Sequence, residues 1–300
     1  MSFWQLAVQQ LINGLQSGSI YALVALGYSM VYGIITLLNF AHGDIIMVGS
    51  YLSWFALTSI APFVPLPVAV VIAIAMAILG CMVLGVTIEF AAYRPLRKSP
   101  RISLLITAIG VSYLLQNTAQ KFIGASAKMV PYPRIPSVNF AGLTISGVAI
   151  LCIAVTAACM VGLTLLVKKS KSGKAMRAVS EDADAALLMG VNVNSTISFT
   201  FAIGSALAGV GSILFIIAYP QASPFMGGML GLKAFVAAVL GGIGSIPGAM
   251  IGGLLIGVIE SLVSAVGLSV WKEGVVFAIL IVMLLFKPAG IMGKPTTEKV

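Results

Sequence analysis

Three hundred residues with 60% apolar and 8% charged side chains, at a mean hydropathy of +1.11, cannot fold as soluble domains. Seventeen basic and eight acidic side chains are too few to wet a 31.1 kDa globule, since soluble proteins carry about 25% charged residues. Soluble enzymes, disordered tails and secreted disulfide scaffolds are excluded, and the net charge of +9 lies in short patches between apolar runs, none before Arg94, which suits cytoplasmic loops beside anionic lipid headgroups and not nucleic acid.

Only helices and closed barrels satisfy their backbone in hydrocarbon, and the apolar runs far exceed the about 9–11 residues of a barrel strand. The expected fold class is therefore all-α: a polytopic transmembrane helix bundle making a single domain over residues 1–300. The first run, Leu6 to Leu38, is 33 residues, about 50 Å as one helix against a hydrocarbon core of about 30 Å, so it must tilt, protrude or break. Gln9, Gln10, Asn13, Gln16, Ser17 and Ser19 turn its first half toward other protein. With no basic residue ahead of it, this run is expected to be a retained span and not a signal peptide.

A second run follows Asn39–Asp44 and reaches Ile60, and a third covers Leu66 to Tyr93. Arg94, Arg97, Lys98 and Arg101 then mark a cytoplasmic loop. Span four, Ile102 to Phe122, leads into a loop over 124–144 containing Pro131, Pro133 and Pro136, which parity places in the periplasm. Span five, Ile145 to Val167, returns to a second basic patch in a cytoplasmic loop over 168–194, and span six runs from Ile197 to Tyr219. The apolar stretch from Gly231 to Val266 is interrupted by Gly241-Gly242-Ile243-Gly244-Ser245-Ile246-Pro247-Gly248, which predicts two helical pieces joined at a buried, non-helical turn with a positive φ at Gly244. A last span, Trp271 to Phe286, precedes Lys287, Lys294 and Lys299. The count is eight spans, or nine if the interrupted stretch crosses twice, and the side of the C-terminus stays open. Trp4, Trp54 and Trp271 suit interfacial belts.

Cys81, Cys152 and Cys159 all fall within apolar runs, and the last two stand about 10 Å apart along one helix, beyond disulfide reach. His42 is the sole histidine, so neither a metal site nor a cofactor is expected.

In the cytoplasmic loop, Ser180 is placed to cap a short helix whose first turn holds Glu181, Asp182 and Asp184 and whose C′ position is Gly190. Ala185, Ala186, Leu187, Leu188 and Met189 make that helix apolar on both sides. Either the chain's own span ends cover it, or it docks as a helix in a groove of another subunit.

Asp184-Ala185-Ala186-x-x-x-Gly190 resembles the EAA loop of ABC-importer permeases, with Asp184 in place of the motif's Glu. Asn39-Phe-Ala-His42-Gly43-Asp44 and the stretch Gly231-Leu-Lys233 through Gly248-Ala resemble signature segments of branched-chain amino-acid permeases of the LivH type, and the resemblance extends over essentially the whole chain. It implies one membrane subunit of an importer in the bacterial inner membrane, beside a second homologous permease, two ATP-binding cassette ATPases and a periplasmic substrate-binding protein. On that resemblance Glu181, Asp184, Ala185, Ala186, Leu187 and Gly190 couple to the ATPase. No G-x-x-x-x-G-K-[ST] occurs, and Gly173-Lys174 and Gly293-Lys294 are followed by Ala and Pro, so ATP hydrolysis would belong to a partner and the chain itself is no enzyme.

The two interrupted regions supply the candidate substrate path: Asn39, His42, Gly43 and Asp44, and Gly241, Gly244, Ser245 and Gly248. Small residues there equally suit close helix packing. Parity places 39–44 near the cytoplasmic face, with Asp44 capping the next helix and His42 solvated, while Glu260 is taken as an interfacial acid beside Ser261 and Ser264, with Lys233 as its alternative partner. A function of a different class is an ion-coupled carrier or channel for a small polar solute such as urea or an amide, using His42, Asp44 or Glu260. No Ser/His/Asp or metal-ligand set supports an intramembrane enzyme.

Overall fold

The computed structural model describes residues 3–35, 39–97, 99–133, 135–140 and 143–293. Lys98 of the first basic patch and the tail charges Lys294, Glu298 and Lys299 lie outside the described residues. In chain order the helices are α1 (Phe3–Ile35), α2 (His42–Phe55), α3 (Leu66–Ile88), α4 (Arg101–Ile123), α5 (Gly147–Lys169), α6 (Lys171–Glu181), α7 (Ala183–Leu188), α8 (Val193–Ala218), α9 (Met226–Gly241), α10 (Ile246–Ala265) and α11 (Lys272–Phe286). A π turn (Ala56–Ile60) and a 3-10 turn (Ala61–Phe63) prolong α2, and a π turn (Glu89–Tyr93) and a 3-10 turn (Arg94–Leu96) prolong α3. Eight of the described helices are long and apolar enough to cross a bilayer, and α9 is a shorter apolar helix. The protein is thus an all-α, multi-pass membrane protein.

Short strands accompany the helices: β1 (Lys128–Met129), β2 (Val138–Phe140), β3 (Leu143–Ile145) and β4 (Gln221–Ala222). Antiparallel β1 and β4 join the loop after α4 to the end of α8, and β2 pairs antiparallel with β3. The first apolar run is one unbroken helix as far as Ile35, and its last positions, 36–38, lie outside the described residues. The expected interruption is present: α9 stops at Gly241, α10 starts at Ile246, and Gly242 and Gly244 between them have φ of 104° and 89°.

Contacts divide the chain into two compact units: Met1–Ser29, Arg134–Leu163 and Lys233–Val300 make the first, Met30–Pro133 and Thr164–Leu232 the second. In the first, α1 packs antiparallel on α10 through glycines. A Cβ at Gly14 would come within 2.6 Å of Val258 Cα, and one at Gly18 within 2.9 Å of Gly253 O. Gly14-x-x-x-Gly18 and Gly253-x-x-x-Gly257 are the small-xxx-small pattern that lets helix backbones touch in lipid, a signal open to sequence reading and overlooked by it. The polar first half of α1 faces protein as expected: Gln9 exchanges two hydrogen bonds with the Thr144 backbone (2.9 and 3.0 Å), and Ser261 Oγ donates to Gln10 O (2.7 Å). Gly257→Leu, which drives a side chain into the α1 backbone at Gly18, is expected to cost about 3 kcal/mol. The check is the thermal unfolding midpoint of the purified protein, and an unshifted midpoint would remove the close approach as a source of stability.

In the second unit, α2, α3 and α8 form the core. Ala69, Ala73, Ala77, Cys81 and Gly85 recur every fourth residue along α3 and are buried, so α8 can lie close: a Cβ at Gly209 would sit 2.7 Å from Ile78 Cα.

Candidate coupling surface and polar centres of the spans

Lys168 and Lys169 end α5, Ser170 Oγ caps α6 by accepting from Gly173 N (2.8 Å), and the chain then breaks at Asp182. Here the structure corrects the expected cap. Ser180 lies inside α6, with its hydroxyl on Arg177 O (2.8 Å), and Asp182 in extended conformation caps α7, its Oδ1 accepting from Asp184 N (2.9 Å) and Ala185 N (3.0 Å). The reason is geometric: an N-cap needs extended backbone, and Ser180 is helical. Glu181 closes α6 and only Asp184 stands in the first turn of α7.

Gly190 ends α7 as expected. Its φ is 84°, and Val191 N donates to Ala186 O and Gly190 N to Leu187 O, a Schellman arrangement. Ala186 alone of α7 is buried, at 4% exposure, and holds the helix to the chain. Leu187, Leu188 and Met189 are 60%, 88% and 85% exposed. Between α7 and the start of α8 lies a cleft of about 540 Å³ lined by Asp184, Leu187, Gly190 and Asn194 among others.

The start of α8 is wired to the end of α3. Glu89, fully buried, accepts from Arg94 Nη2 (3.2 Å), from Arg97 Nη2 and from the Ser198 hydroxyl (2.6 Å), and Arg97 Nη1 also donates to Asn194 Oδ1 (2.7 Å). Burial draws the Arg97 guanidinium below its ordinary pKa, and the Glu89 charge opposes that by favouring the cation. In the sequence Arg94 and Arg97 mark only the topology; the π turn that sets Glu89 about one turn before Arg94 and two before Arg97 carries no periodic signal.

Four residues after Glu89, the Tyr93 hydroxyl donates to Asn39 Oδ1 (2.8 Å), which also accepts from Ala41 N (3.1 Å) and so shapes the entry to α2. His42 and Asp44 are buried, which corrects the expected solvation of His42. Asp44 stands in the first turn of α2 as the expected N-terminal acid but makes no capping hydrogen bond there. Its carboxylate accepts from the Ser112 hydroxyl (2.5 Å) and Gln116 Nε2 (3.0 Å) on α4, because α4 approaches the first turn of α2 closely enough to supply donors. Gly43 meets the start of α9, where a Cβ would stand 2.9 Å from Gly231 Cα.

In the first unit, Gly241 and Gly248 are buried against each other, Ser245 Oγ caps α10 by accepting from Gly248 N (3.2 Å), and Gly244 is exposed, so the expectation of a wholly buried turn holds only for its two ends. Ile291 N and Met292 N donate to Leu240 O and Gly241 O (both 2.9 Å), so a segment of the same chain satisfies the end of α9. Ser261 of α10 pairs with Gln10, and Ser245 lies about 18 Å from Gly257 in the opposite direction, which puts this turn toward the end of unit 1 away from Thr144. Of the partners weighed for Glu260, the structure supplies Lys233. Glu260 is buried, pairing with Lys233 Nζ (2.8 Å) and accepting from the Tyr21 hydroxyl (2.8 Å), while Lys233 also reaches Glu273 (3.6 Å). The small residues of α1 and α10 bring these groups inside, where each charge needs its partner.

The family described as branched-chain amino acid transport system / permease component matches residues 10–284. The high-affinity branched-chain amino acid transport system permease protein BraD of Pseudomonas aeruginosa is 46% identical over 98% of this chain and 98% of its own length. LivH of Escherichia coli K12, bearing the same description, is 43% identical over 98% and 97%, and the probable LivH of Methanocaldococcus jannaschii is 30% identical over 92% and 89%. No solved structure matches the chain. A family match over residues 10–284, with relatives 43–46% identical over nearly the whole chain, establishes that this protein belongs to the branched-chain amino acid transport permease family.

Proposed function

We propose that the chain is one of two membrane subunits of an ATP-driven importer of branched-chain amino acids in the bacterial inner membrane, its two units acting as one permease domain. Its partners are a second, homologous permease, two ATP-binding cassette ATPases that hydrolyse the ATP, and a periplasmic substrate-binding protein. The observation that carries the coupling role is α7: three large apolar side chains stand exposed in a loop that charge places in the cytoplasm, on a helix capped at both ends and held by Ala186. Neither water nor lipid suits Leu188 and Met189 there, and a groove on an ATPase does. Glu181, Asp184, Ala185, Ala186, Leu187 and Gly190 form or border that surface. The comparisons lend no support to an ion-coupled carrier.

Leu188→Glu and Met189→Glu are each expected to cut ATPase co-purification and uptake by at least tenfold while the permease still inserts, since both change exposed side chains only. Undiminished uptake in both variants would remove the docking role.

Asn39, His42, Gly43 and Asp44 in the second unit, and Gly241, Gly244, Ser245 and Gly248 in the first, are each proposed to contribute to the substrate path. Supporting the first group is a buried carboxylate at an interrupted helix start, with neutral donors from α4. The topology is tested by single cysteines at Ser99, Ser137 and Ser172 in a cysteine-free background. An impermeant thiol reagent should label only position 137 in intact cells, and labelling at 172 would invert the orientation.

A further inference from the structure

Within the second unit a cavity of about 360 Å³ lies between the α6–α7 junction and the ends of α1, α3, α4 and α8. Its floor is apolar, from Leu104, Val179, Ile197 and Phe201, all buried, with Ile34 beside them. Its polar lining is divided by sign. On the span side Arg97 belongs to a group in which two guanidinium cations share the single carboxylate of Glu89, leaving one positive charge in surplus. On the loop side stand the carboxylates of Glu181 and Asp182. An aliphatic body with a carboxylate at one side of its head and an ammonium at the other matches this lining, and the volume lies at the lower end of the about 300–1,000 Å³ of small-molecule sites.

We propose that this cavity binds an aliphatic α-amino acid as its zwitterion from the cytoplasmic side, and that occupancy slows import. The carboxylate faces Arg97, the ammonium faces Glu181 and Asp182, and the side chain lies on the apolar floor. A ligand so placed bridges the coupling loop to the span ends. It stabilises the arrangement in which α6–α7 rests on α8, and a cycle that must move α7 relative to the spans is slowed in proportion to that differential affinity. The permease thereby senses the amino acid that has accumulated behind it.

The inference rests on the importer reading, and the test separates the two. The whole transporter is reconstituted in proteoliposomes with ATP in the lumen and binding protein with radiolabelled leucine outside. Uptake into empty vesicles reports on the importer reading alone. The ratio of initial rates with and without millimolar unlabelled leucine in the lumen reports on the cavity, as does equilibrium binding of labelled leucine to the purified complex lacking the binding protein. Lumenal leucine should lower the rate several-fold, whereas isobutylamine and isovalerate, each with one charge only, should not. Leu104→Trp and Ile34→Trp, which fill the cavity from two different helices, should restore the ratio to near one and weaken binding at least tenfold. Equal inhibition by the singly charged analogues, an absence of saturable binding, or a ratio and affinity unchanged in both variants would overturn the proposal.

Discussion

Lys233→Met is expected to destabilise the permease by about 3–5 kcal/mol, because it strands Glu260 in a buried site with the Tyr21 hydroxyl as its remaining side-chain donor among the described residues. Both side chains of the pair are 8% exposed, so water cannot replace the lost ammonium. Glu273, at 42% exposure, contributes less, since solvent screens its 3.6 Å contact. The measurement is the thermal midpoint and yield of the purified protein. Lys233→Met combined with Glu260→Gln should recover most of the loss, because removing both charges also removes their desolvation cost. A single variant as stable as the parent would mean that the pair contributes nothing to holding α1, α9 and α10.

Glu89→Gln is expected to separate ATP hydrolysis from uptake. The carboxylate is the one acceptor that Arg94, Arg97 and the Ser198 hydroxyl share, and it ties the start of α8, directly after α7, to the end of α3. Beyond it the Tyr93 to Asn39 hydrogen bond continues to the entry of α2 and the buried Asp44. An amide keeps the size and loses the charge, so the junction loosens while the apolar packing of α3 on α8 remains. Coupling energies along such networks are about 0.5–2 kcal/mol, a fall of about 2- to 30-fold in uptake per ATP hydrolysed. Ser198→Ala should do less, as it removes one neutral hydroxyl that donates to Glu89 and accepts from Arg94 and leaves the carboxylate with both guanidinium groups. Unchanged stoichiometry in Glu89→Gln would show that the motion of α7 reaches the spans by another route.

Much of this molecule is legible in its sequence, and the parts that are not share a cause. Span boundaries follow from hydropathy within about a turn, since hydrocarbon leaves each run no alternative to helix. The break between α9 and α10 follows from glycine and proline chemistry, and Gly244 and Gly190 adopt the positive φ their turns require. The cap of α7 falls two residues beyond the position its sequence suggests, because Ser180 and Asp182 are both competent caps and only the geometry of α6 decides between them.

By itself the sequence determined the solvent, the helical class, the number of apolar runs, the basic loops and the apolar helix α7, all properties of local composition. Only the tertiary structure decided which polar groups are inside. Asp44 receives Ser112 and Gln116 from 68 and 72 residues away, Glu260 receives Tyr21 from 239, and Ser198 reaches Glu89 across 109. In a membrane the hydrophobic pattern is uniform around each helix, so it cannot tell a lipid face from a protein face. That choice falls to small residues spaced by four, which set how closely two backbones approach and therefore which side chains they enclose.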